Sequence, residues 1–73
     1  MRVTKHMLEN RLSRINRRLG RDYGLENAPH YGGWKVTSNK GATVVYGRVG
    51  PREMLAYLDG LLAGMDMLDG AYQ

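Results

Sequence analysis

Apolar residues recur along this chain with two different periods. Leu8, Leu12, Ile15 and Leu19 follow one another at spacings of 4, 3 and 4, one face of a helix. The spacing predicts a helix over 4–19, with Thr4 as N-cap and Gly20 at the left-handed position after the last turn. A second stripe, Met54, Leu58, Leu61, Met65 and Leu68, is widened by Leu55 and Leu62 and predicts a helix over 51–68. Pro51 suits the first helical position, where its missing N–H costs nothing, and Glu53 suits the first turn. Residues 69–73 read as a frayed tail. Between the helices the period falls to two. Trp34, Val36 and Ser38 alternate with Lys35 and Thr37, and Val44 and Tyr46 alternate with Thr43, Val45 and Gly47. This predicts a hairpin over 34–49 with a type I turn at Asn39-Lys40 and a left-handed Gly41. Residues 20–33 carry no period and read as a loop that Tyr23 and Leu25 pin to the core. The expectation is one α+β domain over 1–73 in the order α-β-β-α, both helices packed on an antiparallel hairpin.

Length bears directly on that reading. A 73-residue chain builds one small core, which rarely supplies more than about 3–5 kcal/mol. The chain has no cysteine, so disulfides, thiolate metal sites and thiol chemistry are excluded. His6 and His30 have no ligand neighbours at metal-binding spacing, and neither a metal nor a cofactor is expected. Association of copies is the remaining common source of stability, so a homo-oligomer is expected. Two glycines inside the second helix point the same way. Ala56, Gly60 and Gly64 form a strip of small residues, and a mid-helix glycine costs about 1 kcal/mol against alanine. The strip reads as an oligomer interface, or as a groove filled by a hairpin side chain. No apolar run approaches the roughly 20 residues of a membrane span, and the polar N-terminal stretch is unlike a secretory signal. A cytoplasmic setting is expected.

Charge is unevenly spread. The chain is +4 in total. Residues 1–21 carry seven basic groups and one acid, a net +6, while residues 50–73 carry one arginine and four acids, a net −3. The contrast suits antiparallel packing of one helix on the other. Arg11, Arg14 and Arg18 lie about one turn apart, flanked by Arg17 and Arg21. Such a ridge either tracks the phosphates of a nucleic acid or forms a solvated face that balances the acidic helix.

Two further segments carry candidate contact chemistry. In Tyr31-Gly32-Gly33-Trp34 the glycines permit close backbone approach between two amphipathic rings, either as a contact patch or as the turn that leads Trp34 into the core. In the junction from Gly47 to Glu53, Arg48 and Arg52 flank the start of the second helix, where N–H groups favour an anion; pairing with Glu53 is the plainer alternative. Catalysis finds no support. Ser13 and Ser38 have no base at a readable spacing, and Asp66 and Asp69 share one side of a helix end without forming an evident site.

The stretches Tyr31-Gly32-Gly33-Trp34-Lys35-Val36 and Arg52-Glu53-Met54-Leu55, followed by Tyr57-Leu58 and Gly60, resemble a loose group of small phage and prophage proteins. Members of that group open with a helix rich in Leu, Arg and Asn, here Leu12-Ser13-Arg14-Ile15-Asn16, and close with a Glu-Leu helix, here departing to Glu53-Met54. The resemblance implies a non-enzymatic accessory protein and transfers no catalytic residue. It implies antagonism of a host defence component in the host cytoplasm, in the manner of an anti-CRISPR protein or a nucleotide sponge. The expected contacts are Tyr31, Gly32, Gly33, Trp34, Arg48 and Arg52, with a host protein or a nucleotide as ligand. The alternative is a basic nucleic-acid-binding protein that uses Arg11, Arg14 and Arg18.

Overall fold

The computed structural model describes residues 2–28 and 33–71. Its elements follow the order α-β-β-β-α: α1 (Lys5–Leu19), β1 (Gly24–Ala28), β2 (Gly33–Ser38), β3 (Thr43–Val49) and α2 (Pro51–Ala71). Both ends of α1 are capped as the sequence requires. The Thr4 hydroxyl accepts from the Met7 N–H at 3.3 Å. Gly20 takes φ 64°, and its N–H donates to the carbonyl of Asn16. At the start of α2 the Gly50 carbonyl accepts the Met54 N–H at 2.9 Å, so Pro51 enters at the first helical position.

The protein is α+β, and its sheet has three antiparallel strands in the order β1-β2-β3 rather than a bare hairpin. The extra strand, β1, lies in the segment read as a loop. Its sequence, Gly-Leu-Glu-Asn-Ala, has one apolar side chain of any size, so no alternation announces it. It forms because it pairs with β2 along its whole length, from Gly24 opposite Thr37 to Ala28 opposite Gly33. Asn16 on α1 fixes its entry. The Asn16 side chain donates to the Tyr23 carbonyl at 3.0 Å and accepts the Tyr23 N–H at 2.8 Å. Tyr23 and Leu25 then pack against the core.

The hairpin turn also differs from the type I expectation. Asn39, Lys40 and Gly41 all have positive φ, 54°, 57° and 93°. The Gly41 N–H donates to the Ser38 carbonyl at 3.2 Å and the Ala42 N–H to the Asn39 carbonyl at 3.2 Å, which closes the four-residue loop between the paired Ser38 and Thr43. At the chain's other end, α2 continues to Ala71, past the point where a tail was expected.

β3 carries two bulges. Trp34 faces Val49 but Lys35 faces Gly47, which leaves Arg48 over; Val36 faces Tyr46 but Thr37 faces Val44, which leaves Val45 over. Bulges twist an edge strand and blunt it against pairing with other chains.

The core is a seam between the helices, closed from below by the sheet. Leu8, Leu12 and Ile15 of α1 meet Met54, Leu55, Leu58 and Leu62 of α2, with Val36 rising from the central strand. Each such side chain contributes about 1.5–3 kcal/mol on burial. The helices run parallel, which corrects the antiparallel expectation. Arg11 pairs with Asp59 at 3.1 Å, and two turns later Arg18 pairs with Asp66 and Asp69, so both chains of residues rise together. An odd number of antiparallel strands returns α2 in the direction of α1.

Two stability outcomes follow from this geometry. Lys40→Gly raises stability by about 0.5–1 kcal/mol, because the left-handed penalty of roughly 1–2 kcal/mol exceeds the extra entropy glycine loses. Leu58→Ala costs about 2–5 kcal/mol and leaves the domain largely unfolded. Urea denaturation followed by circular dichroism measures both.

Candidate functional site

The backbone gathers four of the expected contact residues at one end of the molecule. Gly33 opens β2, Trp34 follows it opposite Val49, and α2 begins at Pro51 with Arg52 in its first turn. Arg48 is the bulge residue between them, held at φ 65° in the left-handed region that a long side chain rarely adopts. Gly33 makes this possible. A Cβ there would lie 2.8 Å from the Arg48 carbonyl carbon and 2.9 Å from its Cα. The glycine therefore serves the close approach of two backbones. Trp34 is half-buried and packs against the core. Tyr31 and Gly32, together with His30, lie outside the described residues.

The arginine ridge of α1 is divided by its surroundings. Arg11 donates from Nε to Asp59, and Arg18 donates to both Asp66 and Asp69. Hydrogen bonding to Asp66 raises the Arg18 pKa above its ordinary value, and the Asp69 charge adds to the effect. These contacts use two of the three ridge arginines to join α1 to α2. Arg14 and Arg17 stay exposed on the outer face, and Arg21 is exposed just beyond the helix. The same contacts account for the Asp66 and Asp69 carboxylates as ion-pair partners. Among the described residues no group of three or more His, Asp or Glu could hold a metal ion. His6 is exposed on α1.

Among the described residues a Cβ at Gly60 or Gly64 of the small-residue strip of α2 would meet nothing within 4 Å, and Ala56 is exposed. No hairpin side chain fills that groove.

One feature was not legible in the sequence. A half-open cleft of about 170 Å³ lies between the C-terminal part of α1, the middle of α2 and β3. Its floor is Leu12, Ile15 and Leu58, and Tyr23, Tyr57 and Val45 stand around it. Val45, the residue left over at the second bulge of β3, lines the cleft. Tyr46 packs edge-on against Tyr57 at 68°. Burial pushes the Tyr57 hydroxyl pKa above its ordinary 10.0, and Tyr46 and Tyr23 add to the shift.

The raised pKa means that folding favours the neutral phenol. Its contribution is complete below the ordinary value and is lost as pH rises through the raised one. Tyr57→Phe therefore flattens the alkaline limb of stability against pH, measured as Tm from neutral to strongly alkaline buffer. Gly33→Ala forces the Arg48 bulge to move and costs about 1–3 kcal/mol, read by denaturant midpoint.

Comparison with protein-family models, with curated proteins and with solved structures finds no match to this chain.

Proposed function

We propose that this chain is a non-enzymatic accessory binding protein of the phage type. It acts as a homo-oligomer in the host cytoplasm and antagonises a host defence component. Contact is made at the end that carries Gly33, Trp34, Arg48 and Arg52, either with an acidic surface of an effector protein or with a nucleotide-type signal. The resemblance of the Tyr31–Val36 and Arg52–Gly60 stretches to small phage proteins supplies the setting.

One observation carries the reading. Arg48 is kept in a left-handed bulge by a neighbouring glycine, beside a half-buried Trp34 and one turn from Arg52. A strained backbone persists where the surrounding structure over-determines it, and such positions cluster at contact sites. Both candidate ligands present anionic oxygens, which guanidinium groups recognise by charge-assisted hydrogen bonds. Arg48→Gly is the informative substitution, since glycine suits the bulge conformation and removes only the side chain. Combined with Arg52→Ala it reduces binding by about tenfold or more, the loss of roughly 1.4 kcal/mol, while Tm shows that the fold is kept. Calorimetry against cyclic and linear nucleotides and a pull-down from host lysate separate the two ligand classes. Unchanged binding in the double variant removes this end from consideration.

Exposure of Arg14 and Arg17 on α1 and of Arg21 just beyond it favours a second reading, nucleic-acid binding along this basic side. Gel shifts with random-sequence DNA or RNA at roughly 150 mM salt are expected to show only the non-specific range of about 10⁻⁴–10⁻⁶ M. Nanomolar binding, lost when the three are changed to Gln, would make nucleic acid the ligand. The substitutions spare Arg11 and Arg18, which are engaged with the carboxylates of α2.

A further inference from the structure

A polar pocket lies at the end of the sheet opposite Arg48 and Arg52. β2 starts at Gly33 beside that contact end and finishes at Ser38, where the turn into β3 meets the link between α1 and β1. The pocket there holds about 250 Å³, with Arg21, Asp22 and Tyr23 on one side and Ser38, Asn39 and Lys40 on the other. Hydrogen bonds fix both walls. The Arg21 N–H donates to the Asn16 carbonyl at 3.1 Å, and the Asn16 side chain holds Tyr23 through both its N–H and its carbonyl. Across the pocket the Gly41 N–H donates to the Ser38 carbonyl at 3.2 Å, and the Asn39 amide donates to the Thr43 hydroxyl at 3.4 Å. Among the described residues none of Arg21, Asp22 and Lys40 takes part in an ion pair, whereas Lys5, Arg11, Arg18 and Lys35 all do.

We infer that this pocket binds a hydroxyl-bearing phosphomonoester, of the class of nucleoside monophosphates and sugar phosphates. The site is separate from the contact end of the proposed function and stands or falls without it. Charge selects the phosphate. Arg21 and Lys40 approach the pocket from its two sides, and a guanidinium and an ammonium together suit a phosphate's several oxygens. Arg17, one turn before Arg21, is exposed and unpaired among the described residues and adds to the attraction. The Ser38 hydroxyl supplies a further donor. Asp22 selects the rest of the ligand. A carboxylate only accepts hydrogen bonds, so beside a phosphate it opposes a bare anion and favours one that brings hydroxyl groups, as a ribose does. The Tyr23 ring offers a face against which a sugar or base can lie. The volume is close to the lower end of the range for small-ligand sites, about 300 Å³, which fits one such molecule and excludes larger cofactors. Lys40 itself points to the same use. It sits at φ 57°, a position that glycine occupies without strain, so what the chain gains by a lysine there is the ammonium group.

Titration calorimetry of the full chain in phosphate-free buffer tests this, with inorganic phosphate, ribose 5-phosphate, adenosine monophosphate and adenosine as probes. The two phosphomonoesters are expected to bind with a Kd of about 1 mM or tighter, inorganic phosphate more weakly, and adenosine not at all. A monophosphate that binds about tenfold tighter than ribose 5-phosphate makes the ligand a nucleotide, and equal binding makes it a sugar phosphate. Lys40→Gly and Arg21→Gln are each expected to weaken binding by about tenfold. Lys40→Gly does so while the Tm rises, which separates loss of the ligand from loss of the fold. Asp22→Asn is expected to strengthen inorganic phosphate and weaken ribose 5-phosphate, an opposition that a general change in charge does not produce. Binding weaker than about 1 mM for both phosphomonoesters overturns the inference. So does binding that survives both Lys40→Gly and Arg21→Gln. If that binding is lost instead in the Arg48→Gly, Arg52→Ala double variant, the pocket is overturned and the contact end of the proposed function gains the ligand.

Discussion

The fold depends on the parallel seam between α1 and α2. Asp66 and Asp69 sit near the C-terminal end of α2, where the helix dipole disfavours carboxylates, and α2 has no basic residue in its last turn. α1 ends with Arg17 and Arg18. Because the helices run parallel, the basic end of α1 lies beside the acidic end of α2, and Arg18 supplies the cation that α2 lacks. An antiparallel pair would bring that end of α1 to the start of α2 instead. Exposed ion pairs stabilise little individually. Their effect here is to favour one direction and register over the alternatives, while the buried seam of Leu8, Leu12 and Ile15 against Met54, Leu58 and Leu62 supplies the energy.

That division of labour shapes the surface. Asp59, Asp66 and Asp69 lie on the flank of α2 toward α1, while Leu61, Met67 and Leu68 are exposed. Pairing also takes Arg11 and Arg18 out of the basic ridge, so the outer face of α1 presents Arg14 and Arg17, with Arg21 exposed just beyond the helix. The two bulges of β3 complete the picture at opposite ends of the molecule. Arg48 is seated against Gly33 at the end where α2 begins, and Val45 opens the cleft toward the end where α1 stops. One strand thus forms both the arginine-bearing end and the wall of the apolar cleft.

Much of the architecture was legible in local pattern. Helical periodicity, the Thr4 and Gly20 caps and Pro51 marked both helices, because each signal depends on neighbours within a turn or two. β1 was not legible. Gly24–Ala28 has no pattern of its own, and its hydrogen bonds belong to β2. The turn was legible in place and not in type, since Asn39 and Lys40 take positive φ, a region that local residue preference outside glycine does not favour. Of the candidate contacts, Gly33, Trp34, Arg48 and Arg52 converge through the strand register, and Gly33 proves to be needed by the Arg48 backbone.

By itself the sequence determined where the helices lie, which of their faces are apolar, and that one helix is basic and the other acidic, all of which follow from spacing along the chain. Tertiary structure decided how these faces meet. Adding one unpatterned strand reversed the relative direction of the helices, because the number of antiparallel strands between them sets whether the second returns with the first or against it. That reversal decided which arginines are joined to which carboxylates. No local pattern encodes such choices, since each depends on residues about fifty positions apart that only the sheet brings together.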